Sequence, residues 1–130
     1  MEAIVNQLEA LLQTAVPCGA DGITVWVDEV PVHFFHCRGR VVMVSPLHTL
    51  KGDEEEEAAL FHLVAMDAAG RMIQDDATVA WEASSRSLIL WAPAVSEHFV
   101  EAFEAFLNAR AWWLTRVATA IPLAAVGQHA

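Results

Sequence analysis

Side chains alternate with a period of two in two consecutive runs in the first half of the chain, and a third run with strand character follows them. A period of two is typical of β-strands that bury one face. The segments between the runs, Asp28 to Pro31 and Arg38–Gly39, contain residues that favour tight turns. Strands joined by such short turns pair in antiparallel fashion, because parallel strands need a long crossover connection. The runs are Ile23 to Val27, Val32 to Cys37 and Arg40 to Ser45.

Helical periodicity flanks these three strands on both sides. Residues 2–15 carry an apolar stripe at helical spacing, and Pro17 ends it. After the strands, the acidic run Asp53 to Glu57 matches a helix N-terminus, where free amides and the helix dipole favour negative charge. We interpret the run as a solvated helix start, because it lacks the alternating ligands and central glycine of a calcium loop. This helix is expected to end near Gly70.

The second half of the chain predicts a second hairpin and a long helix. Residues 77–82 and 87–92 have strand character, and the apolar helical stripe after them ends at Pro122 at the latest. The predicted fold class is therefore α+β, with the order α-β-β-β-α-β-β-α and helices packed on an antiparallel sheet. The length fits a single domain, residues 1–130, in which residues 120–130 form a loose tail.

The predicted second helix is apolar on almost every side after Glu57. A helix of this kind must be covered on more than one side. A chain of 130 residues has few elements that could do so. A second copy of the chain is the most economical cover, so we expect a homodimer.

Charge and hydropathy narrow the kinds of partner. The net charge is −10, which repels phosphate backbones and acidic lipids, so we expect neither nucleic acid binding nor membrane insertion. Hydrophobic residues nevertheless make up 55% of the chain, and the mean hydropathy of +0.37 is high for a soluble domain. Part of the apolar surface is therefore expected to serve a protein partner.

The N-terminal residues indicate the cellular compartment in which the protein is expected. Glu2 is an early acid, and no basic segment precedes an apolar block, so we expect no signal peptide and a cytoplasmic location. In a reducing compartment, Cys18 and Cys37 are expected to stay free thiols.

Residue patterns that would support catalysis are weak. His33 and His36 are three positions apart in a predicted strand and face opposite sides, so they cannot bind one metal ion together. His33 and Cys37 share a face and could form a thiol–histidine pair, although chance placement explains the spacing equally well. The sequence has no glycine-rich phosphate loop. We expect no enzyme activity and no cofactor.

Strand alternation predicts aromatic side chains on the outside of the sheet. If the valines around Trp26 face the core, Trp26 points outward, and Phe35 does the same in the next strand. The two rings could then lie side by side on an exposed face. In the alternative, a helix covers this face and both rings belong to the core. An exposed apolar patch of this kind would mark an interaction surface.

Several features together resemble the class I chaperones of bacterial type III secretion, the Tir-chaperone family. They are the element order, the apolar second helix, and the segments Gly22 to Asp28, Leu88 to Pro93, Phe103 to Phe106 and Trp112–Trp113. The resemblance covers roughly residues 2–118.

This resemblance implies a small acidic homodimer in the bacterial cytoplasm. Such a chaperone binds an N-terminal segment of a secreted effector, keeps it extended and soluble, and delivers it to the secretion apparatus, with the secretion ATPase as a further partner. The alternatives are a regulatory or structural dimer of the secretion system and, less favoured, a small enzyme. The implied effector-binding residues are Leu8, Leu11, Leu12, Trp26 and Phe35. The implied dimer-interface residues are Leu60, Leu63, Val64 and Trp81.

Overall fold

Three helices and five strands follow one another in the order that the sequence predicts. The computed structural model describes residues 1–12, 22–50, 52, 54–74, 76–94 and 96–129, with the backbone alone at 68–74, 96 and 121–129. The predicted residues 13–15, Pro17, Cys18 and Asp53 lie outside the described residues. The α+β class and the element order are confirmed. The elements are α1 (Glu2–Leu12), β1 (Ile23–Val27), β2 (Val30–Cys37), β3 (Arg40–Thr49), α2 (Glu54–Gln74), β4 (Thr78–Glu82), β5 (Ser87–Pro93) and α3 (Phe99–His129), with a 3-10 turn at Ser96–His98.

The five strands form one antiparallel sheet in the order β1-β2-β3-β5-β4. The first three strands are the predicted antiparallel unit, and β4 and β5 are the predicted second hairpin. The long connection through α2 brings β5 beside β3, where Val44 lies opposite Trp91. As a result, β1 and β4 form the two edges of the sheet.

One side of the sheet, which we call the inner face, carries the core. Phe34 of β2 has no exposed surface, and its ring centroid lies 5.9 Å from those of Phe99 and Phe103 in α3. The same core cluster contains Leu8 of α1 and Leu60 of α2. The three helices therefore pack on the inner face, as the fold class predicts.

The β1–β2 turn is tighter than the sequence predicted. Only Asp28 and Glu29 lie between the strands, and Pro31 belongs to β2. Both turn residues have positive φ, 49° for Asp28 and 69° for Glu29. This is the geometry of a type I′ turn, whose twist matches that of a hairpin and which favours glycine at its second position. A glutamate there is strained by its Cβ atom.

Glu29→Gly is expected to raise the free energy of unfolding by about 1 kcal/mol, because glycine adopts positive φ without a steric cost. Urea denaturation would measure the change. The β2–β3 turn supplies the reciprocal control: Gly39 has φ of 80°, so Gly39→Glu should lower stability by a similar amount. Equal or lower stability of Glu29→Gly would show that this turn is not strained.

The β2–β3 pairs end at His33 opposite Val44, and each strand has a proline beyond that pair, Pro31 in β2 and Pro46 in β3. Neither proline has an N–H to donate. Side chains supply the donors: Ser45 Oγ donates to the Pro31 carbonyl oxygen at 2.7 Å, while Arg110 donates to Ser45 Oγ at 2.7 Å and to the Pro46 carbonyl oxygen at 2.9 Å. Burial lowers the pKa of Arg110 from its ordinary value. The guanidinium therefore exchanges water contacts for bonds that join α3 to the sheet.

Arg110→Met is expected to lower the free energy of unfolding by about 2 kcal/mol, because it leaves two buried acceptors without their charged donor. Chemical denaturation measures this loss. Arg116→Met on the same helix is the control, since the Arg116 side chain is 51% exposed and its ion pair with Asp67 is a surface pair of small worth. Equal stability of the two variants would contradict a structural role for Arg110.

Two predicted helix ends are wrong. The helix α2 continues through Gly70 to Gln74, and α3 continues through Pro122 to His129. Glycine costs a helix only about 1 kcal/mol relative to alanine, which the flanking turns can offset. Proline removes one backbone hydrogen bond, and the alanine-rich sequence around Pro122 favours helix on both sides.

Candidate functional site

The second side of the sheet, the outer face, is left bare by the helices of the described chain. Trp26 is 66% exposed and Trp91 is 36% exposed, while most of their apolar neighbours are half-buried. The alternative in which a helix covers Trp26 is therefore wrong for the described structure. The outer face consists of Thr24, Trp26, Pro31, His33, Phe35, Val42, Val44, Ile89 and Trp91.

The strand register fixes how these side chains are arranged. Trp26 lies opposite Pro31, whereas Phe35 lies opposite Val42 towards the other end of β2. Trp26 and Phe35 therefore share the outer face, as predicted, but they are not side by side, because His33 separates them along the strand. The apolar part of the outer face therefore extends further along β2 than a side-by-side pair of rings would.

A cavity of about 380 Å³ lies on the outer face. It is lined by residues of the first three strands and also by Glu82, which belongs to β4 at the opposite edge. Both edges of the sheet can border one cavity only if the sheet curves around it. Thr24 Oγ1 and His33 Nδ1 form a hydrogen bond of 2.7 Å in its wall. The cavity is thus a concave surface of mixed character, in which Thr24, His33 and Glu82 supply polar groups beside apolar ones.

The predicted effector-binding residues of α1 have different environments. Leu11 is 42% exposed and Leu12 is half-buried, so both can meet a partner. Leu8 is 0% exposed and belongs to the core of the single chain. Its side chain packs in the core and holds α1 against the rest of the chain. Direct contact between Leu8 and a partner would require α1 to move.

A second set of apolar side chains, the α2 surface, consists of the exposed Phe61 and Met66, which lie about 140° apart around α2, and the half-buried Trp81 of β4. Phe61 is 44% exposed and Met66 is 69% exposed. The rings of Phe61 and Trp81 meet edge to face, with centroids 5.7 Å apart. Since β4 is an edge strand, Trp81 adjoins an unpaired edge of the sheet.

The predicted dimer-interface residues lie only partly on the α2 surface. Trp81 belongs to it, and Leu63 and Val64 are half-buried nearby on α2. Leu60, at 1% exposed, is covered by its own chain. Sequence reasoning missed Phe61 and Met66, although their spacing from Leu60 already placed them on a different side of the helix.

The acidic start of α2 is attached to the sheet and is not merely solvated. Glu56 forms a hydrogen-bonded ion pair with His48 of β3, and Glu57 accepts a hydrogen bond of 3.2 Å from Arg86 in the β4–β5 turn. The predicted position of the acids in the first helical turn is correct. Their additional role is to fix α2 over the end of the sheet.

The described part of the chain offers little support for a metal site, a membrane-spanning helix or a thiol–histidine pair. No group of three or more His, Cys, Asp or Glu residues there could hold a metal ion. No described helix combines the length and apolar character needed to span a membrane. His33 is bonded to Thr24, and Cys37 is exposed at the end of β2. What the two apolar surfaces offer is contact area for other polypeptides.

Comparison with known proteins identifies the fold. No protein-family model and no curated protein matches the sequence. A chain of the ExsC–ExsE complex has a TM-score of 0.65 and 13% identity, over 86% of this chain and 89% of its own length. A chain of the HopA1–SchA chaperone–effector complex also has a TM-score of 0.65, with 10% identity over 88% of this chain and 92% of that chain. The protein therefore shares its fold with chains from such complexes.

Proposed function

We propose that the protein is a type III secretion chaperone that binds an N-terminal segment of a secreted effector. It keeps the segment extended and soluble in the bacterial cytoplasm and delivers it to the secretion apparatus, with the secretion ATPase as receiving partner. The observation that carries this proposal is the bare outer face, where Trp26 is 66% exposed on a chain of net charge −10. Large exposed apolar patches on soluble proteins mark interaction sites.

The chemistry of the outer face suits a polypeptide better than a small substrate. It is long, concave and mainly apolar, and aromatic anchors such as Trp26 and Trp91 supply most of the energy in protein interfaces. The exposed Leu11 belongs to α1, which packs on the inner face, so it offers an apolar contact apart from the outer face. An edge strand such as β1 can also pair with an extended segment through main-chain hydrogen bonds. Binding, and not catalysis, follows from these properties.

The proposal includes a homodimer formed through the α2 surface. Phe61 and Met66 are exposed on a helix whose core contacts are already made by Leu60. This surface and the outer face belong to different sides of the molecule, so one can bind a second copy while the other binds the effector. The fold shared with a chain of a chaperone–effector complex supports an effector as one of these two partners.

Isolation of the tagged protein from its native host, followed by mass spectrometry of retained proteins, tests the proposal. The expected result is a secreted protein whose isolated N-terminal segment binds the purified chain. Retention of only folded components of the secretion system would favour the regulatory or structural dimer instead. Turnover of a small molecule by the purified chain alone would favour an enzyme.

A further inference from the structure

The outer face has opposite charges at its two ends. Asp28 and Glu29 form the turn at one end of β1 and β2, and both are exposed. In this antiparallel order β1 and β4 run in the same direction, so Glu82 at the end of β4 lies at the same end of the sheet. Arg38 and Arg40 lie at the opposite end, in and beside the β2–β3 turn. Among the described residues, one end therefore carries the acidic β1–β2 turn and the other carries two arginines.

The basic end is exceptional in this chain. Arg38 and Arg40 are both exposed and are two of only 7 Lys and Arg residues in a chain of net charge −10. Arg40 lies opposite Cys37, and strand alternation from Val42 places its side chain on the outer face. The exposed Asp76 at the same end precedes β4, which is separated from β2 by two strands.

Among the described residues at the acidic end, the basic Arg86 does not reduce the negative charge on the outer face. Arg86, in the β4–β5 turn, donates a hydrogen bond of 3.2 Å to Glu57 of α2, on the inner side. Glu82 accepts a hydrogen bond of 2.6 Å from Ser85, which leaves its negative charge in place. Glu82 also lines the cavity on the outer face.

We infer that the outer face holds its polypeptide occupant in one orientation. The occupant is a segment with an apolar middle, Lys or Arg at the end over Asp28 and Glu29, and Asp or Glu at the end over Arg38 and Arg40. This inference rests on the proposed function and specifies the partner's chemistry. The two turns are about 30 Å apart along β2. Because charges in physiological salt are screened beyond about 8 Å, each end selects its own complement.

Two synthetic peptides of identical composition test the inference. Both have about 20 residues, enough to reach both ends even as a helix, with a leucine-rich amphipathic middle. The bipolar peptide has two Lys at its first end and two Glu at its last, whereas the mixed peptide has one Lys and one Glu at each end. The bipolar peptide is expected to bind the full chain about tenfold more tightly, as four modest rim charge pairs would give.

Charge variants locate the effect. Arg38→Gln/Arg40→Gln is expected to weaken binding of the bipolar peptide about threefold, because it removes half of the pairs. The control Ala105→Glu/Ala111→Glu changes the net charge by the same amount at exposed positions of α3 and should leave the preference unchanged. Raising the salt to about 0.5 M should reduce the preference, since the pairs are exposed.

The outcomes separate the inference from the proposed function. Equal binding of both peptides to the wild-type chain would overturn the single orientation while leaving the proposed function intact. An effect of the α3 control as large as that of the arginine variant would overturn it as well, because net charge would then explain the preference. Failure of both peptides to bind would overturn docking on the outer face and the inference with it, whereas the proteins retained from the native host would still decide the proposed function.

Discussion

Trp26→Ala is expected to weaken binding of the effector segment about 30-fold or more without changing the fold. Truncation of an aromatic anchor near the centre of an interface typically costs about 2 kcal/mol or more, which corresponds to this factor. In the free protein the Trp26 side chain is 66% exposed, so little core packing depends on it. The loss should therefore appear in binding and not in stability.

Calorimetry with the N-terminal segment of the retained effector would measure this loss. The wild-type reaction should show a negative heat-capacity change, which is the mark of apolar burial. Trp91→Ala should weaken binding in the same direction, because Trp91 is exposed on the same face. Val100→Ala is the matched control, since Val100 is 37% exposed on α3. Normal binding by both tryptophan variants would mean that the effector uses another surface.

The fold could be predicted because its signals are local. Side-chain alternation in β1 to β3 and the turn residues at Arg38–Gly39 specify a hairpin without knowledge of the rest of the chain. The register between β3 and β5 has no such local signal, since the two strands are joined through α2 and β4. The sequence therefore does not predict the position of Trp91 opposite Val44, nor the part of the outer face that β5 supplies.

The residues predicted for the two interfaces differ in exposure for a physical reason. The resemblance to the chaperone family implies interface roles for Leu8 and Leu60, but both are buried in the single chain. A core position and an interface position have the same composition, and only packing separates them. Trp26 could be assigned correctly because strand alternation determines on which side of a sheet a residue lies.

Phe61→Glu/Met66→Glu is expected to convert a homodimer into a folded monomer. If the α2 surface pairs with a second copy, these substitutions place four negative charges in one apolar interface, and burial of unpaired charge costs several kcal/mol. Light scattering at micromolar concentration should report twice the chain mass of 14.2 kDa for the wild type and one chain mass for the variant.

A comparison with the buried Leu60 shows why substitutions at Phe61 and Met66 can test dimer formation. Leu60→Glu would place a charge in the core of each chain, where Leu60 is 1% exposed, so it should unfold the protein whether or not a dimer exists. Phe61 and Met66 are exposed in the single chain, so their variant should retain the circular dichroism spectrum of the wild type. Val100→Glu, which adds a charge at an exposed apolar position of α3, should remain dimeric. A wild-type chain that stays monomeric at high concentration, or a Phe61→Glu/Met66→Glu variant that stays dimeric, would exclude the α2 surface as the contact between copies.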